Sequence, residues 1–82
     1  GDRPEVRVTA KSAKTGRVTI KVFAASGSVV AKLVDRDVGA NEEVEAIWDL
    51  KNESGDSVAN GFYVVRVVMV GTRRDIPVIL RR

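Results

Sequence analysis

The chain has 82 residues, 44% of them hydrophobic, and a formal net charge of +3. A chain this short buries only about 60% of the surface its unfolded form exposes, so one domain over residues 1–82 is expected and a second core is excluded. Neither cysteine nor histidine is present, which removes soft-metal sites, Cys/His nucleophilic pairs and Ser-His-Asp triads.

Valine dominates the apolar residues, while leucine is confined to Leu33, Leu50 and Leu80. β-Branched side chains pack well on a pleated surface, so this bias favours strands. Turn signals recur at Thr15-Gly16, Ser26-Gly27, Val38-Gly39-Ala40-Asn41, Ser54-Gly55-Asp56, Asn60-Gly61 and Gly71-Thr72. Short, regular spacing of this kind is the mark of an all-β sandwich or barrel.

Between the turns, apolar and polar residues alternate with period two, placing one face of each strand on a core. A first strand over residues 5–11 turns Val6, Val8 and Ala10 inward. A second over 17–24 turns in Val18, Ile20 and Val22, and leaves Thr19 and Lys21 in water. A third covers 28–34. A fourth over 43–50 buries Val44, Ala46 and Trp48, leaving Glu43, Glu45 and the conspicuously apolar Ile47 outside.

The strand over 62–70 is apolar on both faces, with Tyr63, Val65, Val67 and Met69 on one and Phe62, Val64, Arg66, Val68 and Val70 on the other. Such a strand is either covered on both sides or carries a sticky outer face. A two-residue turn at Gly71-Thr72 pairs Val67 with Ile76, Val65 with Val78 and Tyr63 with Leu80, and sets Val64 opposite Ile79. That register puts Pro77 in a hydrogen-bonded pair with Arg66, where proline has no N–H to give. An even shift of the pairing keeps the same residues inward. The fold class expected is an immunoglobulin-like antiparallel β-sandwich of about seven strands, with Trp48, Tyr63, Val65, Val67, Ile20, Val22 and Val78 in its core. Gly61 is expected at positive φ, to turn the chain sharply into the long strand.

The basic excess sits in the doublets Arg73-Arg74 and Arg81-Arg82, not in a stripe with stacking aromatics, so nucleic acid is not an expected partner. No apolar run approaches the roughly 18 residues of a membrane span, so no membrane insertion is expected. Asp35-Arg36-Asp37 with Asn41, Glu42 and Glu43 faintly resembles a calcium loop, but the glycine falls one place early, at Gly39. Asp49, Asn52, Glu53 and Asp56 lack the spacing as well. Both sets read as solvated hairpin loops, and no metal or cofactor is expected. Paired carboxylates are the only catalytic chemistry left open, and Glu43 and Glu45 stand i, i+2 on an open strand face that offers nothing to separate their pKa values. Enzymatic activity is not expected.

Three stretches carry a family likeness: residues 18–23 with Ser26-Gly27-Ser28-Val29-Val30, then Ile47-Trp48-Asp49-Leu50-Lys51-Asn52 with Gly55, then Val58-Ala59-Asn60-Gly61-Phe62-Tyr63. Together they resemble the FlgD-like Ig-like domain, over about residues 6–82. That family is named for the flagellar hook-capping protein, supplies tail domains of exported bacterial proteins, and overlaps in pattern with the C-terminal sorting domains of type IX secretion. Ala24 and Ser28 depart from it, standing where members commonly carry Asp or Asn and a charged residue. The start at Gly instead of Met suggests a piece of a longer protein.

The resemblance implies a non-catalytic structural or interaction module at the C-terminal end of an exported or cell-surface protein, contributing to secretion or anchoring. A domain of a flagellar hook cap is one alternative. A carbohydrate-binding accessory module of a hydrolase is another, although Trp48 and Tyr63 are assigned to the core and only Phe62 and Phe23 remain for a platform. The expected partner-binding residues are Phe62, Val64, Arg66, Ile79 and Arg81, on the outer face of the last hairpin, where an aromatic flanked by arginines has the composition of an interface centre. The partner is a protein: the preceding domain of the parent chain, a secretion or surface component, or a second copy.

Overall fold

The period-two alternation is realised as strands paired antiparallel throughout, in a computed structural model that describes residues 5–81. In chain order these are β1 (Val6–Lys11), β2 (Gly16–Ala24), β3 (Val29–Val38), β4 (Glu43–Trp48), β5 (Gly61–Met69) and β6 (Thr72–Leu80). β1 and β4 make a two-stranded sheet, which faces a four-stranded sheet in the order β3-β2-β5-β6. The core lies between them. Val18, Ile20 and Val22 of β2 and Val65 and Val67 of β5 are fully enclosed, against Val8, Ala10, Val44, Ala46 and Trp48 of the smaller sheet.

The sandwich is thus the expected one, with six strands among the described residues instead of about seven. Residues 49–60, where a further strand would fit, are spent in turns stabilised by their own side chains. Asp49 Oδ1 accepts the Lys51 N–H at 3.2 Å, and Asn52 Oδ1 accepts those of Ser54 and Asp56 at 3.0 Å each. Short polar side chains that satisfy nearby backbone donors compete with a sheet ladder in this way. Only Lys51 and Ser57 meet in an isolated bridge.

β4 ends at Trp48 instead of continuing to Leu50, whose positive φ takes it out of the strand, and two further features differ from expectation. β3 continues to Val38, so Asp35, Arg36 and Asp37 belong to a strand and not to a loop; Arg17 of β2 sits opposite Asp37 and binds Asp35 at 2.7 Å. The β2–β3 ladder also slips twice, leaving Leu33 and Val30 as extra residues of β3. Such bulges bend a strand and increase its twist. The second difference is the last hairpin. Its turn is Val70-Gly71, with Gly71 at φ 74°, and the closing pair is Met69 with Thr72.

That turn shifts the expected pairs by two residues: Tyr63 faces Val78, Val65 faces Ile76, and Val64 faces Pro77 instead of Ile79. The same residues remain inside, and the proline conflict disappears. Pro77 now stands five residues past the closing pair, in an open pair whose N–H position points away from β5, and β6 is an edge strand. Proline is tolerated there. Val78 is half-buried, not enclosed, because β6 lies at the margin of the smaller sheet's cover.

Trp48 is 1% exposed and meets Tyr63 edge to face, with ring centroids 5.4 Å apart at 63°. Its Nε1–H donates to the Lys51 carbonyl at 2.9 Å, and the Tyr63 hydroxyl donates to the Ala59 carbonyl at 2.6 Å. The two rings therefore tie the turn segment to the core at both ends. Gly61 has φ 156°, at the extended edge of the positive region that essentially only glycine adopts. Leu50 is held at φ 63°, unusual for a bulky side chain, and its side chain is buried.

Candidate interaction face

The two sheets differ in what they show to solvent. On the outer face of the four-stranded sheet, cross-strand partners line up in rows that can be followed from strand to strand. The first row is Phe62 with Ile79. The second runs across all four strands as Val29, Phe23, Val64 and Pro77. The third is Lys32, Lys21, Arg66 and Asp75, and the fourth Asp35, Thr19, Val68 and Arg73. Two apolar rows thus lie beside a cationic one.

Within the apolar rows, Ile79 is 71% exposed, and Phe62 and Val29 are also open to solvent, while Phe23 and Val64 are half-buried. Scattered exposed apolar residues are ordinary on any protein; an apolar row that crosses every strand of a sheet, with a second row beside it on two of them, is not. Arg66 borders this band and is fixed in place. Its Nε donates to Asp75 Oδ1 at 2.9 Å, and its guanidinium carbon lies 4.8 Å from the centre of the Phe23 ring. A cation over a ring face is attracted by the ring quadrupole. Asp75 also accepts from Arg73 at 3.2 Å, and the hydrogen bond from Arg66 followed by that from Arg73 holds its carboxyl below the usual carboxylate range.

Lys21 and Lys32 stand directly opposite each other, and Lys21 also faces Arg66. Like charges so placed are mutually unfavourable. The neighbouring carboxylate, Asp35, is engaged by Arg17, whose hydrogen bond lowers its pKa, with Lys21 and Lys32 adding to the effect.

Four of the five expected partner-binding residues, Phe62, Val64, Arg66 and Ile79, share this face; Arg81 is exposed just past the end of β6. The sequence reading left out Val29, Pro77 and the lysine pair, and placed Phe23 there only in outline. The signal for Phe23 was present, since it continues the outward period of Thr19 and Lys21. The others needed the bulged β2–β3 register and the true hairpin turn.

Of the two acidic sets, the first is spread out and occupied by arginines, while in the second Asp49 and Asn52 accept backbone N–H groups of their own turn. Asp35 and Asp37 face Arg17, at 2.7 and 3.8 Å, and Glu42 binds Arg36 at 2.9 Å. The Gly39 N–H, ahead of Arg36, lowers the Glu42 pKa. Glu43 and Glu45 are exposed on β4, opposite Lys11 and Thr9.

Among solved structures, FlgD from P. aeruginosa matches with a TM-score of 0.63 at 20% identity, over 92% of this chain and 63% of that one. The fold is that of the FlgD-like Ig-like domain. The dimeric latent form of PorU from Porphyromonas gingivalis matches with a TM-score of 0.56 at 18% identity, over 99% of this chain and 10% of that one. This chain therefore spans less than two thirds of FlgD and a small part of PorU. No protein-family model and no curated protein matches the sequence.

Proposed function

We propose that this domain is a non-catalytic interaction module of an exported or cell-surface protein and that it docks onto another protein domain through the outer face of its four-stranded sheet. The observation that carries this reading is the adjoining pair of apolar rows, Phe62 with Ile79 and Val29-Phe23-Val64-Pro77, bordered by Arg66. Burial of such a face supplies the apolar centre of an interface, and the lysines beside it supply a polar rim. The likeness to part of PorU supports attachment to a larger exported protein, with secretion or surface anchoring as the use of the contact. The likeness to FlgD favours a second reading, a domain of a flagellar hook cap. A carbohydrate platform is the weaker reading because the Phe23 ring is already covered by Arg66.

The test is Val64→Glu in the full-length parent protein. Val64 points outward and is central to the band, so the isolated domain should unfold cooperatively near its original midpoint while assembly of the parent, followed by light scattering, is weakened at least tenfold. Unchanged assembly with a folded Val64→Glu domain refutes the docking face. A parent with a flagellar partner region upstream would select the hook-cap reading.

A further inference from the structure

Among the described residues the six strands, in a two-stranded and a four-stranded sheet, have four sheet edges, and these are not equally protected. An open edge is a row of unpaired N–H and C=O groups that natural proteins normally blunt. The β6 edge is blocked by Pro77 and by the consecutive charges Arg73, Arg74 and Asp75. The β3 edge is broken by two bulges, and its Val30 carbonyl is taken by the Glu53 N–H at 3.2 Å. β4 lies against β3 on that flank. β1 is regular along its whole length, and among the described residues its outer edge has no strand partner.

The Arg74 guanidinium, reaching from β6, donates to the Thr9 carbonyl at 3.2 Å. That carbonyl therefore points away from β4, so Thr9 occupies an open pair with Glu45. Arg7 and Lys11, two residues either side, share its parity, and all three direct their backbone groups to the outer edge, where an added strand takes the place of Arg74 at the Thr9 carbonyl. A shallow cleft of about 300 Å³ lies alongside, lined by Thr9, Ala10, Lys11, Glu43 and Arg74. Across this flank Ile76 and Val78 of β6 face inward yet are only half-buried.

We propose that the β1 edge is a strand-addition site for an extended segment of another polypeptide in which acidic and apolar residues alternate. The geometry dictates both halves of that pattern. Side chains of an added strand that share a face with Arg7, Thr9 and Lys11 meet two exposed cations, Arg7 at 3.6 Å from Glu5 and Lys11 opposite Glu43 of β4, so carboxylates suit them and compete there with those two acids. Those on the other face lie over Ile76 and Val78, so apolar groups suit them. A second copy is a poor occupant. Antiparallel pairing of two β1 strands about Thr9 sets Arg7 of one against Lys11 of the other, and like charges directly opposite are unfavourable.

The test uses the 82-residue chain, labelled with nitrogen-15, and two blocked synthetic heptapeptides, one alternating glutamate and valine and the other lysine and valine. With saturating glutamate peptide, hydrogen exchange at the Arg7, Thr9 and Lys11 amides should slow at least tenfold, while β6 amides keep their rates. Thr9→Pro removes an N–H that faces away from β4 and should abolish the protection without loss of fold. Should Thr9→Pro unfold, Arg7→Glu/Lys11→Glu serves instead and should reverse the preference to the lysine peptide. Absence of protection, equal protection by both peptides, or protection confined to another strand overturns the proposal.

Discussion

Replacing Trp48 tests the architecture most directly, because one side chain closes the core, meets Tyr63 edge to face and holds the turn segment. Trp48→Ala removes a ring that is 1% exposed. Large aromatic-to-alanine changes in cores cost about 3–5 kcal/mol through lost transfer energy and the residual cavity. The edge-to-face contact at 5.4 Å belongs to a class worth about 0.5–1.5 kcal/mol beyond area burial, which argues for the upper part of that range. At about 0.05–0.15 kcal/mol per residue, a domain of this size has roughly 4–12 kcal/mol in total, so the substitution removes a large share of it or all of it. Trp48→Phe separates the contributions. It keeps an aromatic ring but deprives the carbonyl of the exposed Lys51 of its donor at 2.9 Å, a part-buried bond worth about 0.5–1.5 kcal/mol. At about 4–8 °C per kcal/mol, loss of this bond should lower the melting midpoint by roughly 2–12 °C. Guanidinium unfolding followed by far-ultraviolet circular dichroism measures both variants. A cost below about 1.5 kcal/mol for Trp48→Ala would mean that the ring is not enclosed and that the packing of the two sheets is wrong.

Tyr63→Phe should cost about 1 kcal/mol in urea unfolding, because it leaves the Ala59 carbonyl without the hydroxyl now 2.6 Å away. Gly61→Val should cost about 1–3 kcal/mol from backbone strain, and Gly61→Ala nearly as much, since a Cβ at this position meets no atom within 4 Å; a free substitution in thermal denaturation would refute the strain. Carbon-13 titration should place the Asp75 midpoint in the folded domain below the ordinary 3.8. A folded pKa that is depressed gives stability present above the unfolded value and lost as pH falls through the folded one, so Asp75→Asn should flatten the acid limb of the stability profile.

The inward set was readable because period two is a local property: Val18, Ile20, Val22, Val65 and Val67 alternate with their neighbours whatever strand they pair with. Pairing is not local. Whether the hairpin turns at Val70-Gly71 or at Gly71-Thr72 leaves the alternation untouched, and only the hydrogen-bonding parity of Pro77 distinguishes the two; that parity pointed correctly to a fault in the first register. The extension of β3 was hidden because Asp35-Arg36-Asp37 has the composition of a loop, while its reason for being a strand, Arg17, lies eighteen residues away. The candidate face was half visible for the same cause. Phe62, Val64 and Ile79 follow from parity, whereas Val29 joins them only through the bulge that skips Val30.

The two proposed surfaces recognise by different physics and sit on opposite sheets, which makes them separable. The outer face of the four-stranded sheet offers side chains and is opposed by a buried charge at Val64. The β1 edge offers backbone groups, and Thr9→Pro removes one donor while leaving the outer face as it is. Perturbations at distant sites with no shared partners usually add within about 0.3–0.5 kcal/mol. The double variant Val64→Glu/Thr9→Pro should therefore lose parent assembly and peptide protection to the same extents as the corresponding single variants. Salt gives a second handle, since the edge selects carboxylates through the exposed Arg7 and Lys11, and interactions between exposed charges weaken as the Debye length shrinks from about 10 Å at 0.1 M to about 3 Å at 1 M. Raising salt should erase the preference for glutamate over lysine peptide and leave assembly through the apolar rows largely intact. If Thr9→Pro alone abolished parent assembly, the edge and not the sheet face would be the docking site, and the apolar rows would be no more than a valine-rich surface.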